Sequence, residues 1–277
     1  MAGRPAEAQD EDTEVRRAAA GALSETREPG AVDGLVGALK DPDAEVRRNA
    51  AGGLAEMRDR RALPALAGLV SDSSAHVRRQ ALAAISELDG KASAATFLAA
   101  LKDPDAEVRQ IAVAALAEHP SRDAVRPLIA ALGDASAEVR QGAAHALGEL
   151  HAKEALPALL AALKDPNAEV RLAAVQALGE MGLGEAPAAL LEALKDEHAE
   201  LRRSAARALG HSGDPRAVDS LSRAVADADP EVREAAVEAL GSMRDASATR
   251  ALVAATKSSD ANVRRQAAEA LGERNER

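Results

Sequence analysis

Apolar residues fall along this chain in two alternating stripes, each with helical spacing. From Glu154 to Lys164 they occupy positions 156, 159, 160 and 163, the i, i+3, i+4, i+7 pattern of an amphipathic helix. Val125, Leu128, Ile129 and Leu132 fill the same slots one repeat earlier, and Val32, Leu35, Val36 and Leu39 fill them near the start. The spacing places Pro64, Pro127, Pro157 and Pro187 in the first turn of this helix, where a missing N–H costs little. A turn follows (Asp165-Pro166-Asn167), and then a second helix in which Val170, Ala174, Ala177 and Leu178 share one face.

The second stripe fixes the period. Val15, Val46, Val77, Val108, Val139, Val170, Leu201, Val232 and Val263 are each 31 residues from the next, and each is followed by Arg. A strict period of this size predicts one helical hairpin stacked on copies of itself. Three residues before each anchor stand Asp12, Asp43, Ser74, Asp105, Ser136, Asn167, His198, Asp229 and Asp260, all but His198 good helix N-caps. Glu45, Glu107, Glu138 and Glu169 suit the positive end of the helix dipole. Ala stands four residues after every anchor, Ala or Gly seven after, and Leu or Ile eight after. Such small residues let helices approach closely. The pattern predicts a lone second helix over 12–25 and eight hairpins over 30–274, within one array spanning 10–274. Residues 1–9 are expected to be irregular or disordered, and 275–277 a tail.

Composition removes several functions. Phe97 is the only aromatic residue, and it sits in the slot of Leu35, Leu66, Leu128 and Leu159, so it is expected in the core. With 45 acidic against 35 basic residues the net charge is −10, which disfavours nucleic acid. No apolar run is long enough to span a bilayer, and no signal-peptide pattern opens the chain. There is no cysteine and hence no disulfide or thiolate metal site. The default location is cytoplasmic, with no cofactor expected.

The turn Asp, the 31-residue hairpin and the Val-Arg opening of the second helix resemble the HEAT repeats. More narrowly they look like the short bacterial class named after phycobilisome lyases, and like consensus alpha-helical scaffolds. The resemblance covers residues 10 to about 274 and implies an all-α, right-handed α-solenoid. It also implies a ladder in which each turn Asp pairs with the Arg six residues later. The pairs would be Asp41/Arg47, Asp103/Arg109, Asp134/Arg140 and Asp165/Arg171, with Asp10/Arg16, Asp72/Arg78, Asp196/Arg202 and Asp227/Arg233 in the same series. Arg264 departs from it, meeting Ser258.

Enzymes of the HEAT-like kind need residues this chain does not offer. Deoxyhypusine hydroxylases hold iron through His-Glu dipeptides, and none of His76, His119, His145, His151, His198 and His211 is followed by Glu. HEAT-like DNA glycosylases use aromatic residues on the damaged base. A bilin lyase or its regulatory subunit is the remaining enzymatic alternative, and nothing in the sequence marks a tetrapyrrole pocket.

The expected function is a non-catalytic protein-interaction scaffold. The resemblance implies that second helices line its concave face, where rows two and six residues after each anchor are free to vary. The binding residues expected there are Arg17, Arg48, Arg79, Gln110, Gln141, His145, Leu172, Gln176, Arg203 and Arg207. Arg17, Arg48 and Arg79 with Gly21, Gly52 and Ala83 would form a basic trough for an acidic peptide. An upstream segment of a longer chain, or weak self-association through the N-terminal end, would cover the lone second helix.

Overall fold

The computed structural model describes residues 11–26, 30–89 and 93–275. The expectations for residues 1–9, for Asp10 and its bond to Arg16, and for 276–277 lie outside them. The described residues are helical throughout, without a strand, and form two compact units, Met1–Pro127 and Leu128–Arg277.

The first unit opens with α1 (Thr13–Thr26) and continues as hairpins α2 (Ala31–Ala38) with α3 (Ala44–Glu56), α4 (Leu63–Leu69) with α5 (Ala75–Asp89), and α6 (Ala94–Ala100) with α7 (Ala106–Glu118). The boundary falls inside α8 (Val125–Ala131). The second unit holds α9 (Ala137–Glu149), α10 (Leu156–Ala162) with α11 (Ala168–Glu180), α12 (Ala188–Ala193) with α13 (Ala199–Ser212), α14 (Val218–Ala224) with α15 (Pro230–Ser242), and α16 (Ala246–Ala255) with α17 (Ala261–Asn275). In the first unit α3, α5 and α7 lie against α2, α4 and α6, in the second α11, α13, α15 and α17 lie against α10, α12, α14 and α16, and within each unit successive second helices pack on one another. The fold is an all-α solenoid-type array of two-helix repeats.

The buried rows are those of the hydrophobic pattern. Leu35, Leu66, Phe97, Leu128, Leu159, Leu190, Leu221 and Leu252, spaced 31 residues apart, are all fully buried. Each such side chain contributes about 1.5–3 kcal/mol by leaving water. Phe97 is thus a core residue that substitutes for Leu. The small residues act at the helix–helix contact. A Cβ on Gly210 would lie 2.8 Å from the Cα and Cβ of Ala239, and one on Gly148 would lie 2.8 Å from the Cα of Ala177.

Caps form where side-chain oxygens allow. Asp43, Asp105, Ser136, Asn167 and Asp229 each accept from a first-turn N–H of the helix that follows, whereas His198 makes no capping bond. First helices are shorter than the hydrophobic stripe predicts. A single 3-10 turn (Arg60–Ala62, Arg122–Ala124, Lys153–Ala155 or Pro215–Ala217) takes up the start of α4, α8, α10 and α14. At α12 the departure is larger: Pro187 is the N-cap, in extended conformation, rather than a first-turn residue. Gly182 there adopts φ +59°, and the Ala186 N–H donates to Asp214 Oδ2 at 2.6 Å instead of entering a helix.

Candidate functional site

Arginines after the anchors make the most regular polar feature, and they do not pair as expected. Arg47 Nε and Nη2 donate to the Asp72 carboxylate at 2.7 and 2.8 Å, and Asp72 lies 25 residues ahead, in the next repeat. Arg78 treats Asp103 in the same way, Arg140 Asp165, Arg171 Asp196, and Arg202 Asp227, with contacts of 2.7–3.1 Å. The contact six residues back is made by Nη1, and its acceptor is the main-chain carbonyl. Arg47 binds Asp41 O, Arg109 binds Asp103 O, Arg140 binds Asp134 O and Arg171 binds Asp165 O, at 2.7–3.0 Å. The pairs Asp41/Arg47, Asp103/Arg109, Asp134/Arg140 and Asp165/Arg171 are therefore carbonyl bonds within a repeat, and the carboxylates of Asp41, Asp103 and Asp165 are bound by Arg16, Arg78 and Arg140 of the repeat before. Asp41, for instance, receives Arg16 Nε at 2.7 Å.

Each carboxylate has a further donor in its own turn, as when Asp165 Oδ1 accepts from the Asn167 N–H at 2.9 Å. One planar guanidinium thus ties its own turn to the next, in the two-pronged geometry that suits Arg and not Lys. The Arg140 bond holds the Asp165 carboxyl below the usual range, and Arg202 does the same for Asp227. For Asp196 burial pushes upward, but bonds from Arg171 and His198 outweigh it and bring the pKa down to about 2.

The row expected to form a basic trough is largely neutralised from within. Arg17 Nε and Nη2 grip Asp43, the next N-cap, at 3.0 and 2.8 Å, and Nη1 reaches Glu14. The Arg17 bond lowers the Asp43 pKa to about 2. Arg79 binds Asp105 and Glu107, and Arg203 binds Glu231 and Glu200. Arg48, for which the N-cap of the next repeat is Ser74 and not Asp, pairs with Glu45 of its own helix at 2.7 Å. Gly21 leaves open space, but a Cβ on Gly52 would already meet Gln80. Gln110 in the first unit and Gln141, His145, Gln176 and Arg207 in the second are exposed, and Leu172 is half-buried.

The C-terminal part of these rows differs. Glu234 and Glu238 lie one turn apart on α15, and Glu269 and Glu273 one turn apart on α17. All four line a groove of about 390 Å³ between the two helices, together with Gln266, Ser242 and Arg274. No cation pairs with Glu234 or Glu238 among the described residues, and Arg265 stands 3.8 Å from Glu269. Arg274 is turned to the carbonyls of Leu240 and Asp245. The rows two and six residues after the anchors contain Glu234, Glu238 and Glu269 but give no reason to select them, because only folding leaves Glu234 and Glu238 without a cationic partner among the described residues.

Among the described residues no group of three or more His, Asp or Glu could hold a metal ion, and no helix is long and apolar enough to cross a membrane.

Comparisons with known proteins agree on the fold. The sequence model of HEAT repeats matches residues 32–117, 94–179, 156–229 and 220–277. The narrower phycobilisome-lyase class rests on the sequence resemblance alone. No curated protein matches. Among solved structures, an engineered protein is 22% identical, with a TM-score of 0.63 over 99% of this chain and 88% of its own. The Escherichia coli protein YibA is also 22% identical, with a TM-score of 0.64 over 90% of this chain and 95% of its own. Kap95p, in a structure describing how its binding acts on RanGDP, is 15% identical, with a TM-score of 0.63 over 94% of this chain but 43% of its own length.

Proposed function

The chain belongs to the HEAT-repeat family, and from that premise we propose that it is a non-catalytic interaction module that seats a basic protein segment between α15 and α17. One observation carries this reading: two carboxylates on α15, without cationic partners among the described residues, face a third on α17 across a groove. Three fixed negative charges on rigid helices attract and orient Lys or Arg side chains, and the open groove admits the stems beneath them. The Kap95p structure is an instance of a similar array engaging a folded protein. An acidic segment on Arg17, Arg48 and Arg79 is the weaker reading, because an incoming carboxylate would have to displace Asp43, Asp105 or Glu45 from an existing ion pair.

With no Trp or Tyr the protein is followed through a label. Fluorescent basic and acidic peptides are titrated against the full chain at low and physiological salt. Basic peptides should bind, lose affinity as screening shortens the Debye length from about 30 Å to about 8 Å, and be released by the Glu234→Lys, Glu238→Lys double variant. Binding of acidic peptides instead, abolished by Arg48→Glu and indifferent to Glu238, would move the site to the N-terminal unit and overturn this reading.

A further inference from the structure

Two kinds of arginine tie join successive second helices of the second unit, and the seam between α15 and α17 keeps neither in full. The first tie is the ladder: Arg140, Arg171 and Arg202 each hold the turn Asp of the next repeat through Nε and Nη2. Between α15 and α17 that Asp is replaced by Ser258. Arg233 therefore turns Nη2 to the N-cap Asp260, and its buried Nε is left without an acceptor.

The second tie comes from the residue two after the anchor. Arg203 of α13 reaches Glu231 in the first turn of α15, as Arg17 and Arg79 reach the N-caps Asp43 and Asp105 in the first unit. Where the next N-cap is Asn167 or His198, the matching residue is the uncharged Gln141 or Leu172. On α15 the residue is Glu234, and the N-cap ahead of it is Asp260, so two acids meet. Both line a cavity of about 160 Å³, with Pro230, Gln266 and Arg265 around it. The cavity shares Glu234 and Gln266 with the groove of about 390 Å³ where Glu238 and Glu269 stand. Toward the other end of the seam, Arg274 of α17 still donates to the Leu240 carbonyl of α15 at 2.9 Å. The N-terminal half of α17 is thus the lightly tied part.

We propose that the basic segment seated between α15 and α17 supplies the tie this seam lacks, so that binding and the docking of α17 are coupled. The coupling rests on the site proposed above and has a plain physical source. In the free chain like charges face each other across the seam. A guanidinium lying between Glu234 or Glu238 and Glu269 bonds to carboxylates of both helices, as Arg203 does between α13 and α15. A ligand that needs both walls of the groove binds only the docked form and shifts the population toward it.

Hydrogen–deuterium exchange of the full chain tests this, free and with a fluorescent oligo-arginine peptide whose binding is followed by anisotropy in the same samples. In the free chain the amides of residues 264–268 should exchange faster than those of the equivalent residues 202–206 in α13. Peptide at about 100 times its Kd should slow exchange at 264–268 by up to about 100-fold and leave 202–206 unchanged. Glu234→Arg with Ser258→Asp restores both internal ties. This variant should slow 264–268 without peptide, at equal helicity, and bind the peptide more weakly. A peptide that binds while exchange at 264–268 stays the same overturns the coupling and leaves the binding site standing. Exchange at 264–268 as slow as at 202–206 in the free chain, or unmoved by the two substitutions, also overturns it. Absence of binding overturns the coupling and the site together.

Discussion

Arg233 reaches past Ser258 and binds the N-cap Asp260, Nη2 to Oδ2 at 2.7 Å, because the repeat that follows has no turn Asp to offer. The cost shows on the same guanidinium: its Nε is buried and finds no acceptor. Ser258→Asp should supply the missing carboxylate, restore the two-pronged bond and stabilise the C-terminal hairpin by about 0.5–1.5 kcal/mol. Denaturant unfolding of the variant against the parent checks this. An unchanged or lower midpoint would show that Arg233 is already satisfied.

Removing a carboxylate from the middle of the ladder has the opposite effect. Asp165→Ala takes the partner from Arg140 Nε and Nη2 and the acceptor from the Asn167 N–H. Both side chains of that pair are mostly buried, 13% and 10% exposed. The loss should lie between that of a surface pair, under about 1 kcal/mol, and that of a buried one, about 3–5 kcal/mol. Lys in place of Arg140 should recover little, since it cannot bind Asp165 and the Asp134 carbonyl in one plane. Thermal unfolding of the two variants measures both effects.

Acid should loosen the stack before it melts single helices. Asp165 and Asp227 titrate below an ordinary carboxylate because Arg140 and Arg202 hold them charged, and Asp43 is held at about 2 by Arg17. A depressed pKa gives stability that is complete above the unfolded value, about 3.9, and is lost as pH falls through the folded value. The denaturation midpoint should therefore be flat at neutral pH and fall steeply below about pH 4. An Asp165→Asn variant should start lower and fall less steeply, as followed by circular dichroism across pH.

Two glycines at the same repeat position should respond with opposite signs. Gly210→Ala places a methyl 2.8 Å from the Ala239 backbone and should cost about 1–3 kcal/mol by overpacking. Gly272→Ala meets open space on α17 and should gain about 0.5–1 kcal/mol from helix propensity in dilute solution. Chemical denaturation resolves the difference, and equal effects would rule out helix approach as the reason for glycine at Gly210.

The amino-acid sequence by itself determined the 31-residue hairpin, the buried Leu and Ala rows, the N-caps and the place of Phe97. Each rests on local spacing or on a side chain acting on its own helix, and both can be read along the chain. The partners of the arginines could not be read in this way. In a strict repeat an Asp six residues before an Arg is also an Asp 25 residues after the previous Arg, since 31 − 6 = 25. Periodicity makes Asp41 equally available to Arg16 and Arg47. Only the packed helices decided that its carboxylate faces Arg16 while its carbonyl faces Arg47. The same ambiguity concealed that Arg17 and Arg79 are neutralised by the N-caps ahead of them, and that Glu234 and Glu238 are not paired among the described residues. A charge's availability depends on what lies within a few ångströms across the stack, and that distance is set by tertiary packing.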